Sequence, residues 1–498
     1  MIEKTIEELL AYAEIHLDLK QDDKIYFRNL LIRKLNATTP YDGDIDYDHI
    51  KSLNVPDELV EKLSSYILEN NLVEQENLEL FLTELLGDLT PLPSVVNAKF
   101  NDLYNESDIK ALDYLYDLSI KNNYIQKTKV DKNILWYAEF PDNSVEISIN
   151  LSKPEKNNKD IKKLLTAKTT SKYPQCLLCK ENVGFAGNSG HPARENLRII
   201  PLNLAGERWY IQYSPYVYYD HHCIVFNDRH ANMHIDHPTF EALFDFVDIF
   251  PSFFIGSNSD LPIVGGSILN HEHFQGGKHI LPMLKSNVRK EYYTINGVKV
   301  SSLDWYNTVV LLEGSNKTDM VKVADKVLDV WKEYSDESND IIAYTTERHN
   351  TITPIVQKTE TGFRMFLILR NNRTNEQYPD GIFHAHPEYH MIKKEGIGLI
   401  EAMGLFILPA RLQRQFRQIA EVKKENLSHD DILERYEDLK DFLPMIDELK
   451  GIDLTEEIKN YVNNVCRNIL INTGVFKNTK DGQLGLDKFL EEVRVKYE

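Results

Sequence analysis

The chain has 498 residues, a formal net charge of -20 and 42% hydrophobic residues, which predicts two or three packed domains and excludes generic binding to nucleic acid or an acidic membrane surface. No apolar stretch approaches the roughly 20 residues that cross a bilayer: 396–410 is broken by Glu401 and closed by Pro409, and the opening Met1-Ile2-Glu3-Lys4 has no basic region followed by an apolar run. Four cysteines, Cys176, Cys179, Cys223 and Cys466, are too few for a secreted disulfide framework, and a reducing cytoplasm fits them best.

The first part, to about Ile120, reads as helices, with apolar residues at helical spacing from Ile2 to Leu19 and from Val60 to Leu86. Asp42-Gly43-Asp44-Ile45-Asp46-Tyr47-Asp48 has neither the glycine nor the glutamate register of a calcium loop and reads as an acidic turn. Strand patterning begins near Ile134, and Val145 to Leu151 alternates with a period of two. The lysine-rich stretch Lys153 to Lys172 reads as a solvated linker or exposed helix, and as a boundary. From Leu197 to Phe226 β-branched and aromatic residues predict strands. Pro238 to Phe250 predicts a helix with Phe240, Leu243, Phe244, Val247 and Phe250 on one face. Further strands are expected at Ile341 to Thr345 and Met365 to Leu369, and the chain is helical again from Arg411.

The most informative stretch is His271-Glu272-His273-Phe274-Gln275. On a strand, residues i, i+2 and i+4 share a face, so two imidazoles and a carboxamide converge. A neutral imidazole can attack phosphorus, and a second phosphate can resolve the phosphoramidate. Gln275 can hold phosphate oxygens but cannot move a proton near neutral pH. That favours transfer between phosphates, whose oxygens are already ionised, over hydrolysis. Gly265, Gly266, Gly276 and Gly277 flank the segment, and Ser267 and Asn270 add donors. Arg194, Arg198, Arg208, Arg229 and Lys278 are nearby cations in sequence.

Cys176-Leu177-Leu178-Cys179 has the spacing of a two-thiolate metal half-site. A redox dithiol and a pair of buried thiols are its alternatives. Downstream His221, His222, His230, His234, His237 and His271 supply further ligands. Gly184 to Gly190 is a glycine-rich loop without the lysine and hydroxyl residue of a nucleotide P-loop. In Phe383-His384-Ala385-His386 the histidines share a strand face, with His390 just beyond and His349 able to join them as a second metal site. A polar strand face turned to substrate is the alternative there. Glu401 to Leu405 reads either as a sugar-binding loop or as a buried helix. The two histidine strands, each preceded by sheet-like sequence, hint at a duplicated α+β unit.

Taken together these residues resemble the galactose-1-phosphate uridylyltransferase family of the histidine triad superfamily, in its second, longer class. The resemblance is most specific over 173–283 and 378–412, although the first class has His-Pro-His-Gly-Gln where this chain has His271-Glu272-His273-Phe274-Gln275. It implies an α+β fold of two histidine-triad-like units with antiparallel sheets and helical N- and C-terminal regions. The corresponding division is 1–130 helical, 131–300 first unit, 301–410 second unit and 411–498 helical. It further implies that His273 carries uridine monophosphate from UDP-glucose to galactose 1-phosphate, with Gln275 holding the phosphate and Ser267, Asn270 and Arg198 contacting substrate. Zinc would lie on Cys176, Cys179, His230 and His271. A second metal such as iron would lie on His349, His384 and His386, and a homodimer is the family expectation. The alternatives are a dinucleoside polyphosphate phosphorylase of the same superfamily and a non-catalytic, zinc-stabilised binding protein.

Overall fold

The computed structural model describes residues 2–152 and 173–497, so the lysine-rich stretch Lys153 to Lys172 lies outside the described residues. After the N-terminal helices come β1 (Ile134–Glu139), β2 (Ser144–Asn150), β3 (Ile200–Leu204), β4 (Glu207–Tyr213) and β5 (Cys223–Asn227). Then follow β6 (Phe254–Ser257), β7 (His273–Gly277), β8 (Val288–Ile295), β9 (Val298–Leu303), β10 (Val309–Gly314), β11 (Asn350–Thr359), β12 (Gly362–Asn371) and β13 (Leu405–Pro409). The chain divides into two compact units, one of Met1–Lys132 and Lys156–His230, the other of Asn133–Glu155 and Ala231–Glu498.

The first unit is mostly helical. Ile2–His16 buries Ile6, Leu9, Leu10 and Ala13 at the expected spacing. The apolar pattern from Val60 to Leu86 is not one helix but two, Asp57–Glu69 and Leu78–Leu89. They part where Asn71 takes a positive φ of 52°, a left-handed conformation that asparagine tolerates and that ends a helix. The acidic run ends as a helix cap, because the Asp46 side chain accepts from the His49 amide at 2.9 Å and opens Tyr47–Ser52. β3, β4 and β5 form an antiparallel run in that order.

In the second unit the strands run β7-β6-β11-β12-β10-β9-β8, each pair antiparallel. A smaller sheet pairs β1 with β2 antiparallel and β2 with β13 parallel. The helix foreseen at Pro238 to Phe250 is His237–Ile249. Asp236 and Thr239 form a reciprocal capping box at its start, and its stripe of Phe240, Leu243, Phe244 and Val247 is fully buried. This helix packs on β6 and β11, and Lys317–Glu333 packs on β10, β11 and β12. There the buried Trp331 indole donates to the carbonyls of Thr351 (2.9 Å) and Arg370 (3.2 Å). The C-terminal region is helical, ending in Leu454–Thr473 and Lys480–Tyr497. The chain is therefore α+β, with antiparallel strands and helical terminal regions, as expected.

Two expected strands are absent. Ile341 to Thr345 is turn-like, held by single bridges from Asp336 to Ile341 and from Tyr344 to Arg348, and the strand starts only at Asn350. Phe383 to His386 has no strand either. Phe383, His384 and Ala385 are all buried there, in a turn bounded by Gly381 at φ 119° and Pro387. Among the described residues, no helix is long and apolar enough to cross a membrane.

Candidate active site and metal centre

The reactive segment is a strand only in part. β7 begins at His273, and His271 and Glu272 precede it. His273 and Gln275 therefore share a strand face, while the fully buried Phe274 lies on the other. Gln275 pairs with Gly256 of β6. A Cβ on Gly276 would stand 2.3 Å from the Phe254 carbonyl oxygen, so this strand approaches β6 too closely for any side chain there.

His273 is 6% exposed, and its Nδ1 lies 2.8 Å from the His271 carbonyl oxygen. A carbonyl can only accept, so Nδ1 carries the proton and the lone pair of the neutral ring is on Nε2. Burial lowers this imidazole to about 4, offset in part by that same carbonyl. The segment ahead of the strand is fixed by its own chain: Glu272 N donates to Ala231 O (2.8 Å) and Met233 N to Leu269 O (2.9 Å). These two bonds run 231–233 alongside 269–272. Ser267 and Asn270 are exposed in the loop between β6 and β7. The glycines of that loop serve its own packing: a Cβ on Gly265 would meet Ser259 O at 2.6 Å, and one on Gly266 would meet Asn258 Nδ2 at 2.6 Å.

The cysteine pair forms a tight knuckle. Cys176 Sγ and Cys179 Sγ are 3.6 Å apart, His230 Nδ1 is 3.2 Å from Cys179 Sγ, and the Leu178 amide points at Cys176 Sγ at 3.3 Å. Burial pushes the Cys179 thiol well above its ordinary value. Cys176, Cys179, His230 and His271 each offer one ligand atom, and these atoms lie within 4.8 Å of one another, a group that could hold a metal ion. The other histidines in that part of the sequence have different surroundings. His221 bridges Asp113 and Asp220 and stacks on Tyr116, His237 meets Asp325 at 2.5 Å, His222 is buried beside Tyr218 and Tyr219, and His234 is exposed.

The second histidine cluster does not assemble. Among the described residues the only group of three or more such ligands is the one around Cys176, and His349, His384 and His386 are outside it. His349 is held by Asn372 Oδ1 (2.8 Å) and Thr345 Oγ1 (2.7 Å). His386 stacks on Tyr378 and reaches the Ile382 carbonyl, and His390 reaches the Ala385 carbonyl, both at 3.0 Å. His384 is buried, which lowers it to about 4. With no strand at 383–386, the alternation of the sequence never becomes a shared face.

Arg198 is likewise accounted for by structure. It is 6% exposed, and its guanidinium donates to the carbonyls of Thr90, Pro91, Glu195 and Leu197. Glu401 lies in a short buried helix, Leu399–Ala402, and pairs with Lys393 at 2.9 Å, which favours the buried-helix reading of that segment.

Two family models match the chain: "Galactose-1-phosphate uridyl transferase, N-terminal domain" over residues 19–232 and the corresponding C-terminal domain over 246–438. The chain belongs to the galactose-1-phosphate uridyl transferase family. Among its relatives, the galactose-1-phosphate uridylyltransferase of Clostridium acetobutylicum is 43% identical, with 98% of this chain and 99% of that protein covered. The protein of the same name from Caldanaerobacter subterraneus is also 43% identical, over 98% of this chain and 97% of that protein. That of Fusobacterium nucleatum is 41% identical over 98% of each. The family resemblance read from 173–283 and 378–412 is thus supported over nearly the whole length, helical N-terminal region included.

Sequence reasoning missed Asn182 and His191, which lie behind the cysteine knuckle. The Asn182 carboxamide donates to the carbonyls of Cys176 (2.9 Å) and Cys179 (2.7 Å), and its Oδ1 is 2.6 Å from His191 Nε2. The nearness of Asn182 to Cys179 in sequence was a weak signal. His191 lies beyond the glycine-rich loop, and nothing in its spacing marked it.

Proposed function

We propose that this chain transfers a uridylyl group from UDP-glucose to galactose 1-phosphate, giving UDP-galactose and glucose 1-phosphate, in the galactose metabolism of a cytoplasm. The observation that carries the reading is the buried His273 with Nδ1 committed to the His271 carbonyl, because the lone pair of Nε2 then has a fixed direction for attack. Nε2 attacks the α-phosphorus of UDP-glucose, the bond from phosphorus to the bridging oxygen breaks, and glucose 1-phosphate leaves with that electron pair. A phosphate oxygen of galactose 1-phosphate next attacks the same phosphorus, the P–N bond breaks, and His273 regains its lone pair. Neither leaving group needs a proton. Gln275, on the same strand face, donates its amide hydrogens to the phosphoryl oxygens as charge builds on them. Ser267 and Asn270 supply further donors from the exposed loop. The names of the relatives point to the same reaction class.

Zinc on Cys176, Cys179, His230 and His271 belongs to this reading. Two thiolates about 2.3 Å from a tetrahedral zinc ion stand about 3.8 Å apart, and the observed Sγ–Sγ distance of 3.6 Å fits. Two thiolates and two imidazoles close a structural site, so the ion's part is to hold His271, and with it the carbonyl that orients His273.

Steady-state kinetics test the reaction. Varying UDP-glucose and galactose 1-phosphate together is expected to give parallel double-reciprocal lines, the mark of a covalent intermediate formed before the acceptor binds. Phosphate-dependent cleavage of diadenosine tetraphosphate without turnover of UDP-glucose would instead establish the phosphorylase alternative.

A further inference from the structure

The glycine-rich run Gly184 to Gly190 carries no phosphate-loop signature, and the geometry gives it different work. Gly184 and Gly187 both take positive φ, 78° and 77°, and a Cβ on Gly187 would stand 2.5 Å from Ala193 N. Asn188 N donates to His191 O (2.8 Å), His191 N to Asn188 O (3.2 Å), and Gly190 N to Asn188 Oδ1 (2.8 Å). The chain thereby doubles back, and the His191 ring meets Phe185 edge to face. Its Nε2 ends 2.6 Å from Asn182 Oδ1.

That contact fixes which way the Asn182 amide points. Oδ1 can only accept, so His191 donates from Nε2 and the Asn182 NH2 group is left to donate. Both amide hydrogens are used, one on the Cys176 carbonyl and one on the Cys179 carbonyl. Asn182 is 1% exposed, so water does not compete for these bonds. Its backbone amide adds a third tie, to Cys179 O at 3.0 Å. One buried side chain therefore holds the backbone of both cysteines, and a histidine brought in by the glycine loop holds that side chain.

We infer that Asn182 and His191 are positioning residues that fix the Cys176–Cys179 knuckle in its metal-binding shape, and that the glycine loop exists to deliver His191. Groups that orient metal ligands without touching the ion typically set affinity by 10–100-fold. The inference rests on the zinc reading above. It concerns this chain's own backbone, with no role for the loop in holding substrate.

The test is zinc affinity of the full-length chain, measured by competition with a chromophoric chelator. Asn182→Ala is expected to weaken binding about 10–100-fold, and His191→Ala by less. His191→Gln, whose amide can donate in place of Nε2, should recover most of the loss. Because His191 acts through Asn182, adding His191→Ala to Asn182→Ala should cost nothing more. Wild-type affinity in Asn182→Ala, or losses that add in the double variant, would overturn the inference. The His191→Gln and double-variant arms separate positioning from general unfolding. Failure of the wild-type chain to bind zinc at all would instead sink the zinc reading, and this inference with it.

Discussion

The two histidine-rich regions look alike in sequence and differ in what their ring nitrogens face. In the first, His230 and His271 converge with two thiols, and His273 is fixed through Nδ1 alone. In the second, His349 is closed at both nitrogens by side chains, and His386 and His390 each meet a backbone carbonyl. Histidine spacing alone does not make a ligand set. What decides is whether the surrounding backbone turns the rings toward one point. The first region has the 231–233 and 269–272 segments bonded side by side; the second has a turn where a strand was expected.

Substitutions can break this contrast. The largest effect belongs to His273→Ala, which should lower kcat/KM for uridylyl transfer by roughly 10⁴-fold or more, as loss of a nucleophile does elsewhere, while zinc content stays at the wild-type level. Near-normal turnover would move the nucleophile elsewhere. Gln275→Ala should cost about 10²–10³-fold in kcat/KM, the range for a single donor to a developing oxyanion. If only KM rose, Gln275 would be binding the substrate and not the transition state. For Cys176→Ala the readout is the ion itself: affinity for zinc should fall beyond the roughly 100-fold ceiling of an outer partner, and an unchanged zinc content would strike Cys176 from the ligands.

The smallest effect sharpens the other side. His386→Ala removes a bond to the Ile382 carbonyl and a stack on Tyr378. It should cost on the order of 1 kcal/mol in denaturant unfolding and leave metal content untouched. Loss of a bound metal ion in that variant would restore the second site and erase the contrast.

Much of this was legible in the sequence. The helix after Asp236 announced itself through its stripe of Phe240, Leu243, Phe244 and Val247, and the grouping of Cys176, Cys179, His230 and His271, which could hold a metal ion, was readable from cysteine spacing together with the family likeness. The errors share one physical cause. The pattern of residue types does not show where the backbone turns: Phe383, His384 and Ala385 are buried together in a turn between Gly381 and Pro387, so the alternation at 383–386 did not make a strand. Likewise the pattern from Val60 to Leu86 spans a break at 70–77, where Asn71 takes a left-handed conformation. Arg198 could be read as a cation but not as one enclosed by four carbonyls, since those carbonyls belong to residues scattered from 90 to 197.

The central claim is that His273 forms a bond to phosphorus. It is tested most directly by giving the protein UDP-glucose labelled in the uridine, withholding any acceptor, and mapping the label by mass spectrometry. An acid-labile uridylyl adduct on the peptide containing His273, discharged by galactose 1-phosphate and absent from His273→Ala, is the predicted result. An active wild-type protein that carries no label, or carries it on another residue, would contradict the account.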